Sequence, residues 1–160
     1  MSSKNDSRPH FTSVAIALGS NLGDRDARLR EALALLGSSI WELRASAFHD
    51  TEPVGVGPQP PFLNAAAVGQ TTLTARELLS LLLDLERQLG RERPYPGAPR
   101  TIDLDLILFG GAVIDEPGLI VPHPRFRERR FVLEPLAEIA PDWVDPVTGR
   151  TVRELASAVP

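Results

Sequence analysis

The stretch Phe62–Gly90, FLNAAAVGQTTLTARELLSLLLDLERQLG, changes character half-way along. Its first part, FLNAAAVGQTTL, reads as a strand. Thr74 and Glu77 then form a T-A-R-E capping box, in which each side chain satisfies a backbone N–H at the start of a helix. Leu78, Leu82, Leu85 and Leu89 fall on one face of that helix, and Gly90 ends it. The flanking segments extend the pattern. Upstream, SVAIALGS (Ser13–Ser20) reads as a buried strand ending at Gly19. In NLGDRDARLREALALLG, Asp24 can cap a helix carrying Leu29, Ala32, Leu33 and Leu36, with Gly37 as its stop. SIWELRASAF (Ser39–Phe48) reads as a second strand, and PRTIDLDLILFG (Pro99–Gly110) as the strand after the capped helix. The order βαββαβ predicts an α+β, ferredoxin-like sandwich: an antiparallel sheet with helices on one face. Beyond Gly110–Gly111 follow a short strand, a basic turn, a short helix near Val132–Ile139 and a last helix from about Thr151, a C-terminal tail of short elements. Residues 1–12 are expected to be a flexible leader and 13–160 a single domain.

The whole chain agrees with one hydrophobic core. It has 160 residues, 42% of them hydrophobic and 24% charged, with a net charge of −4. A small acidic excess disfavours a protein that coats nucleic acid or an anionic membrane, because phosphate binding wants a basic one. With no cysteine, disulfides and thiolate metal sites are excluded. His10, His49 and His123 are too scattered for a zinc motif. No apolar run approaches a membrane span, and the polar N-terminus has no signal core, so the cytoplasm is the expected location.

Two long loops interrupt the regular pattern, and long loops in compact domains are often functional. HDTEPVGVGPQPPFLN (His49–Asn64) holds four prolines and two glycines and is expected to be irregular. GRERPYPGAPR (Gly90–Arg100) is proline-rich and basic. Its prolines stiffen and its glycines hinge, which fits a lid over an anionic ligand as well as a loop without fixed structure.

The strand after the second loop raises a chemical question. Side chains alternate along a strand, so Ile102, Leu104, Leu106 and Leu108 share an aliphatic face, while Asp103 and Asp105 point the other way. Their Cα atoms lie about 6.5 Å apart. Such carboxylates repel each other, and a divalent cation would remove the conflict while keeping positions open for water and phosphate oxygens. A D-x-D alone also fits a water-facing strand, or an edge protected against aggregation. The surroundings favour the ligand reading. Arg91 and Arg100 sit at the two ends of the proline-restrained loop, and His123, Arg125, Arg127, Arg129 and Arg130 follow in PHPRFRERR. Guanidinium groups grip phosphate oxygens in a bidentate fork. Taken alone, Arg125 and Arg127 read better as a solvated turn paired with surface acids. Asn64 offers a donor and an acceptor to the edge of a heterocycle, and Phe62 and Phe131 offer stacking faces, unless both rings are core.

These pieces together resemble the hydroxymethyldihydropterin pyrophosphokinase family of the folate pathway. The matching stretches are ALGSNLGDR, TEPVGVGPQPPFLNAA, LERQLGRER, PRTIDLDLILFG, VPHPRF and RRFVLEPLAEIAP; they occur in the family's order between about Val14 and Val152. The resemblance implies a Mg²⁺-dependent transfer of diphosphate from ATP to a pterin alcohol. It implies that Asp103 and Asp105 hold two Mg²⁺ ions, and that either carboxylate could take the hydroxyl proton. It gives Arg91 and Arg100 to the polyphosphate during catalysis and His123 and Arg129 to further nucleotide contacts. The pterin would stack between Phe62 and Phe131, with Asn64 on its edge and backbone groups near Thr51 and Val54 assisting. Small molecules are the expected partners, with no nucleic acid or membrane, and a monomer is the expected state. Some positions depart from the family pattern: Gly97 stands where tryptophan is frequent, Pro124 where an aromatic residue often stands, and Phe62 where tyrosine sometimes does. The alternative is a non-catalytic ferredoxin-like module that binds a nucleotide or RNA; it would show aromatic residues on an exposed, basic sheet face.

Overall fold

The computed structural model describes residues 10–21, 24–51, 62–90 and 102–160. Strand β1 (Thr12–Ser20) leads to helix α1 (Arg25–Leu36), then to β2 (Trp41–Ala45), β3 (His49–Thr51) and β4 (Phe62–Thr71). Helix α2 (Ala75–Leu89) precedes β5 (Asp103–Phe109), a hairpin of β6 (Ile114–Glu116) and β7 (Leu119–Val121), helix α3 (Arg130–Ile139) and helix α4 (Val152–Ala158). The main sheet runs β2-β4-β1-β5, with β3 continuing the β2 side of β4, and its pairs are antiparallel. This is the ferredoxin-like order that the βαββαβ reading predicts. Among the described residues no helix is long and apolar enough to cross a membrane.

The local signals act as the sequence implies. The Asp24 carboxylate accepts the Ala27 N–H at 3.0 Å. Thr74 and Glu77 form both bonds of the capping box, and Thr151 and Glu154 form a second one at α4. These caps satisfy N–H groups that have no partner inside a helix.

Two cores lie on opposite faces of the sheet. Val14, Ile16, Leu18, Ala65 and Ala67 point to α1 and α2, whose Leu29, Leu36, Leu78 and Leu82 are fully covered. Ala15, Ala17, Ala66 and Val68 point to the other side, against Phe126, Val132, Leu133 and Leu136. The helices of the βαββαβ unit thus share one face, and the C-terminal tail folds back over part of the second. The alanines let α3 pack closely there.

Three elements differ from the sequence reading, and the first is the single short strand expected after Gly111, which is the two-stranded β6–β7 hairpin. Ala15 pairs with Leu108 whereas Ile16 pairs with Leu106, so Ile107 is an extra residue in β5. This bulge turns the strand, and Leu108 joins Ile107 in the second core instead of sharing a face with Leu104 and Leu106. The start of the first long loop is also regular: His49–Thr51 pairs with Phe62–Asn64. Three residues are too few for an alternating pattern to stand out beside so many prolines. Close approach explains one glycine in β4. A Cβ on Gly69 would meet Ile40 Cγ2 at 2.4 Å and the Trp41 carbonyl oxygen at 2.8 Å.

Candidate active site

The strand register builds the site. His49 pairs with Asn64, Asn64 with Gly19, and Gly19 with Asp103, so these four residues form one row across β3, β4, β1 and β5. The next row inward is Ala66, Ala17 and Asp105. Alternation puts the side chains of both rows on the face that carries the tail. Asp103 and Asp105 are half-buried on that face. Asn64 and Asp103 are two strand spacings apart, about 10 Å.

Gly19 makes the floor between them shallow. A Cβ there would approach Asn64 Oδ1 to 3.0 Å and Phe62 Cδ1 to 3.7 Å. Asn64 is buried, and its amide N–H donates to the Thr51 hydroxyl at 2.5 Å. That bond fixes the plane of the carboxamide. Sequence reasoning missed Gly19 as a site residue, because a glycine closing a strand reads as a turn; its cross-strand partners are what show the need for a missing side chain.

The tail supplies the other wall. As an edge strand, β5 has polar backbone groups that need partners. The Leu104 N–H donates to the Glu86 carboxylate at 2.7 Å, and the Ile107 carbonyl accepts the His123 N–H at 3.0 Å. The second bond brings His123 beside Asp105. Burial pushes the His123 imidazole below its ordinary pKa; the Asp105 charge opposes this, and Arg129 and Arg125 reinforce it. The ring is therefore neutral at pH 7. Nδ1 accepts the Arg125 N–H at 3.2 Å, which leaves Nε2 as the donor. The Arg129 guanidinium lies 5.6 Å from the centre of the Phe131 ring, and that ring is 41% exposed. Among the described residues, Phe62 and Phe131 are not in ring contact with each other.

The basic turn divides its labour. Arg127 grips the buried Asp145, and Arg130 holds Glu134 and the carbonyls of Val159 and Pro160. These two arginines brace the tail. Arg129 has no carboxylate within ion-pair distance among the described residues, and its charge acts on His123, as does that of Asp105. A cleft of about 320 Å³ opens on the outer side of β5, between α2 and the β6–β7 hairpin. Leu79, Leu83 and Ile120 give it apolar walls, and Asp105 and His123 stand at its polar end. Arg91, Arg100 and Val54, with the lid reading of the basic loop, lie outside the described residues.

The residues present suit a hard divalent cation. No group of three metal-ligating side chains occurs among the described residues, so Asp103 and Asp105 would supply only part of a coordination shell. A cation held by one or two carboxylates, with water and substrate phosphate as its remaining ligands, is the usual situation of Mg²⁺.

An antiparallel α+β sandwich with an acidic pair on an open sheet face, beside an arginine-bearing turn, defines a ferredoxin-like domain. The family model described as 7,8-dihydro-6-hydroxymethylpterin-pyrophosphokinase matches residues 15–141, and the chain belongs to that family. The 2-amino-4-hydroxy-6-hydroxymethyldihydropteridine pyrophosphokinase of Bacillus subtilis (strain 168) is 49% identical over 126 residues, 78% of this chain and 75% of that one. The protein of the same name from Methylorubrum extorquens is 44% identical over 146 residues, 90% of this chain and 91% of that one. The fold also matches a crystal structure of Plasmodium falciparum HPPK-DHPS A437G with a TM-score of 0.76 at 15% identity, over 95% of this chain. This chain spans 46% of the length of that one, and at such low identity the fold alone is shared.

Proposed function

We propose that the protein transfers diphosphate from ATP to the hydroxymethyl group of 6-hydroxymethyldihydropterin, a step of folate biosynthesis. The hydroxyl oxygen attacks the β-phosphorus of ATP. The bond from that phosphorus to the oxygen bridging the α-phosphate breaks, AMP leaves, and the hydroxyl proton is lost, with Asp103 and Asp105 as the nearby acceptors. One observation carries this reading: the row that runs from Asn64 across Gly19 to Asp103. About 10 Å suits a flat two-ring heterocycle whose edge meets Asn64 and whose hydroxymethyl arm reaches the acidic pair.

Each residue then has a task. Asn64, held by Thr51, reads the pterin edge, and Phe62 and Phe131 supply stacking faces, with Val54 close by in the chain. The apolar cleft beyond β5 takes the adenine, which brings the phosphates to the Asp105 end. Neutral His123 donates from Nε2 to a phosphate oxygen; Arg129, Arg91 and Arg100 balance the remaining charge. Asp103 and Asp105 would hold two Mg²⁺ ions, which when bound neutralise polyphosphate charge. In this reading residues 13–160 act as a single-domain monomer in the cytoplasm.

Product analysis with ATP, Mg²⁺ and the pterin alcohol tests the proposal. AMP and pterin diphosphate in equal amounts are expected; ADP would mean an ordinary kinase, and no turnover would mean a binding module. The pocket has its own test. Asn64→Ala is expected to weaken pterin binding by about tenfold or more, as loss of a buried amide contact does, with a much smaller change for ATP. Equal losses for both ligands in a calorimetric titration would remove the pterin from that row.

A further inference from the structure

Strand β3 is short and, among the described residues, pairs with β4 alone, yet it carries the hydroxyl that orients Asn64. Three residues of ladder are a weak hold for a group that must keep a carboxamide in one plane. The surrounding elements add two more. On the α1 side, Asp50 meets Arg25 at 2.7 Å, but the Asp50 side chain is 67% exposed and solvent screens that pair. On the other side, one carboxylate of α3 makes two contacts. Glu138 Oε1 accepts the Ala47 N–H at 3.1 Å, and Glu138 Oε2 pairs with His49 Nε2. His49 is half-buried and the Glu138 side chain is 36% exposed, against 67% for Asp50, so this hold is screened less. Ser46, one residue earlier, is tied to β4 through its hydroxyl, which accepts the Ala66 N–H at 2.9 Å.

The helix that provides Glu138 also carries Phe131. The two are seven residues apart, which is two turns, so they lie on one side of α3 about 10 Å apart along its axis. One side of α3 therefore holds β3 at its C-terminal end and offers a ring at its N-terminal end. Moving β3 away from α3 would move Thr51, and with it the bond that fixes the Asn64 carboxamide, relative to Phe131.

We propose that Glu138 and His49 are positioning residues for the pterin pocket: by tying α3 to β3 they hold Thr51 and Asn64 at the spacing from Phe131 that the heterocycle needs. In this proposal the pair acts through Thr51 and Asn64. This inference rests on the pterin assignment of the Asn64 row.

The test compares His49→Phe, which keeps ring bulk without a nitrogen, and Glu138→Gln, which keeps size without charge, in the full chain. Kinetics are measured with each substrate varied at saturating amounts of the other, beside thermal melts. The KM for the pterin alcohol is expected to rise about tenfold in folded protein, at least about fivefold more than any change in ATP KM or kcat. His49→Gln, whose amide N–H can still reach Glu138, is expected to recover most of the loss. A purely structural brace would instead lower the melting temperature and the active fraction while leaving both KM values in place, and that result overturns the proposal. If Glu138→Gln does not fold, His49→Phe decides alone. Asn64→Ala run in parallel separates the two levels. A pterin-selective loss there, with none in the His49 and Glu138 variants, removes this inference and spares the pocket; no pterin selectivity in Asn64→Ala removes both.

Discussion

Asp105→Ala is expected to lower turnover by on the order of 10³-fold or more, with Asp103→Ala similar, while the fold persists. The loss is large because four phosphate charges cannot approach an acidic protein without neutralisation, and the pair is the element best placed to hold the cations that provide it. The fold persists because both carboxylates lie half-exposed on the part of the sheet that the tail leaves open. Neither belongs to a hydrophobic core. Removing Asp105 also removes a like charge next to Asp103, so the melting temperature should hold or rise slightly. His123 would not confuse the result. The Asp105 charge raises its pKa, so the variant keeps the imidazole neutral. Turnover measured as AMP release, with melting curves alongside, checks the prediction; near-normal rates in both variants would end the metal assignment.

Asp145→Ala should have the largest effect on stability. This side chain is fully buried between the Phe126–Glu128 turn and α4. It accepts two bonds from Arg127, at 2.5 and 2.9 Å, one from the Val147 N–H at 3.0 Å and one from the Thr148 hydroxyl at 2.7 Å. Arg127 in turn lies 4.9 Å from the centre of the Phe126 ring, a fully buried part of the second core. Removing one partner of a buried pair typically costs 3–5 kcal/mol. Arg127 keeps 24% exposure and can be partly hydrated, so the lower end, about 3 kcal/mol, is expected. For a chain of this size that is a fall of about 10 °C in melting temperature.

The same carboxyl predicts an acid response. Burial alone would raise its pKa; the hydrogen bonds from Arg127, Thr148 and the Val147 N–H outweigh burial and hold it at about 2, against an ordinary 3.8. A group depressed in the folded state stabilises fully above its unfolded pKa and loses that contribution as pH falls. The protein should therefore lose about 2 kcal/mol between about pH 4 and pH 2 from this site. Denaturant titrations across that range should show the loss in the parent and not in Asp145→Ala.

Residues close together in the chain announced what they do. The Asp24 cap, the Thr74–Glu77 box and the leucine face of α2 depend on neighbours within one or two turns, so their chemistry is written in adjacent letters; the Thr151–Glu154 box has the same spacing and went unread. The pairing of Asp103 with Asp105 is legible for the same reason: a two-residue repeat on a strand sets the face of both. Of the basic-turn arginines, Arg125 does pair with a surface acid, Glu128, as its setting implies, but the acid that Arg127 meets is the buried Asp145. Which of them brace the tail depended on where Asp145 and Glu134 came to lie.

Period, caps and turn residues act over a few bonds, so the βαββαβ order and the acidic pair can be read from the chain alone. The extra residue at Ile107, the short strand at His49, and the row that joins His49, Asn64, Gly19 and Asp103 emerge only when the strands pair. Those depend on register between strands up to about a hundred residues of chain removed. Register is settled by how two cores fill on opposite faces of one sheet, and no local pattern carries that information.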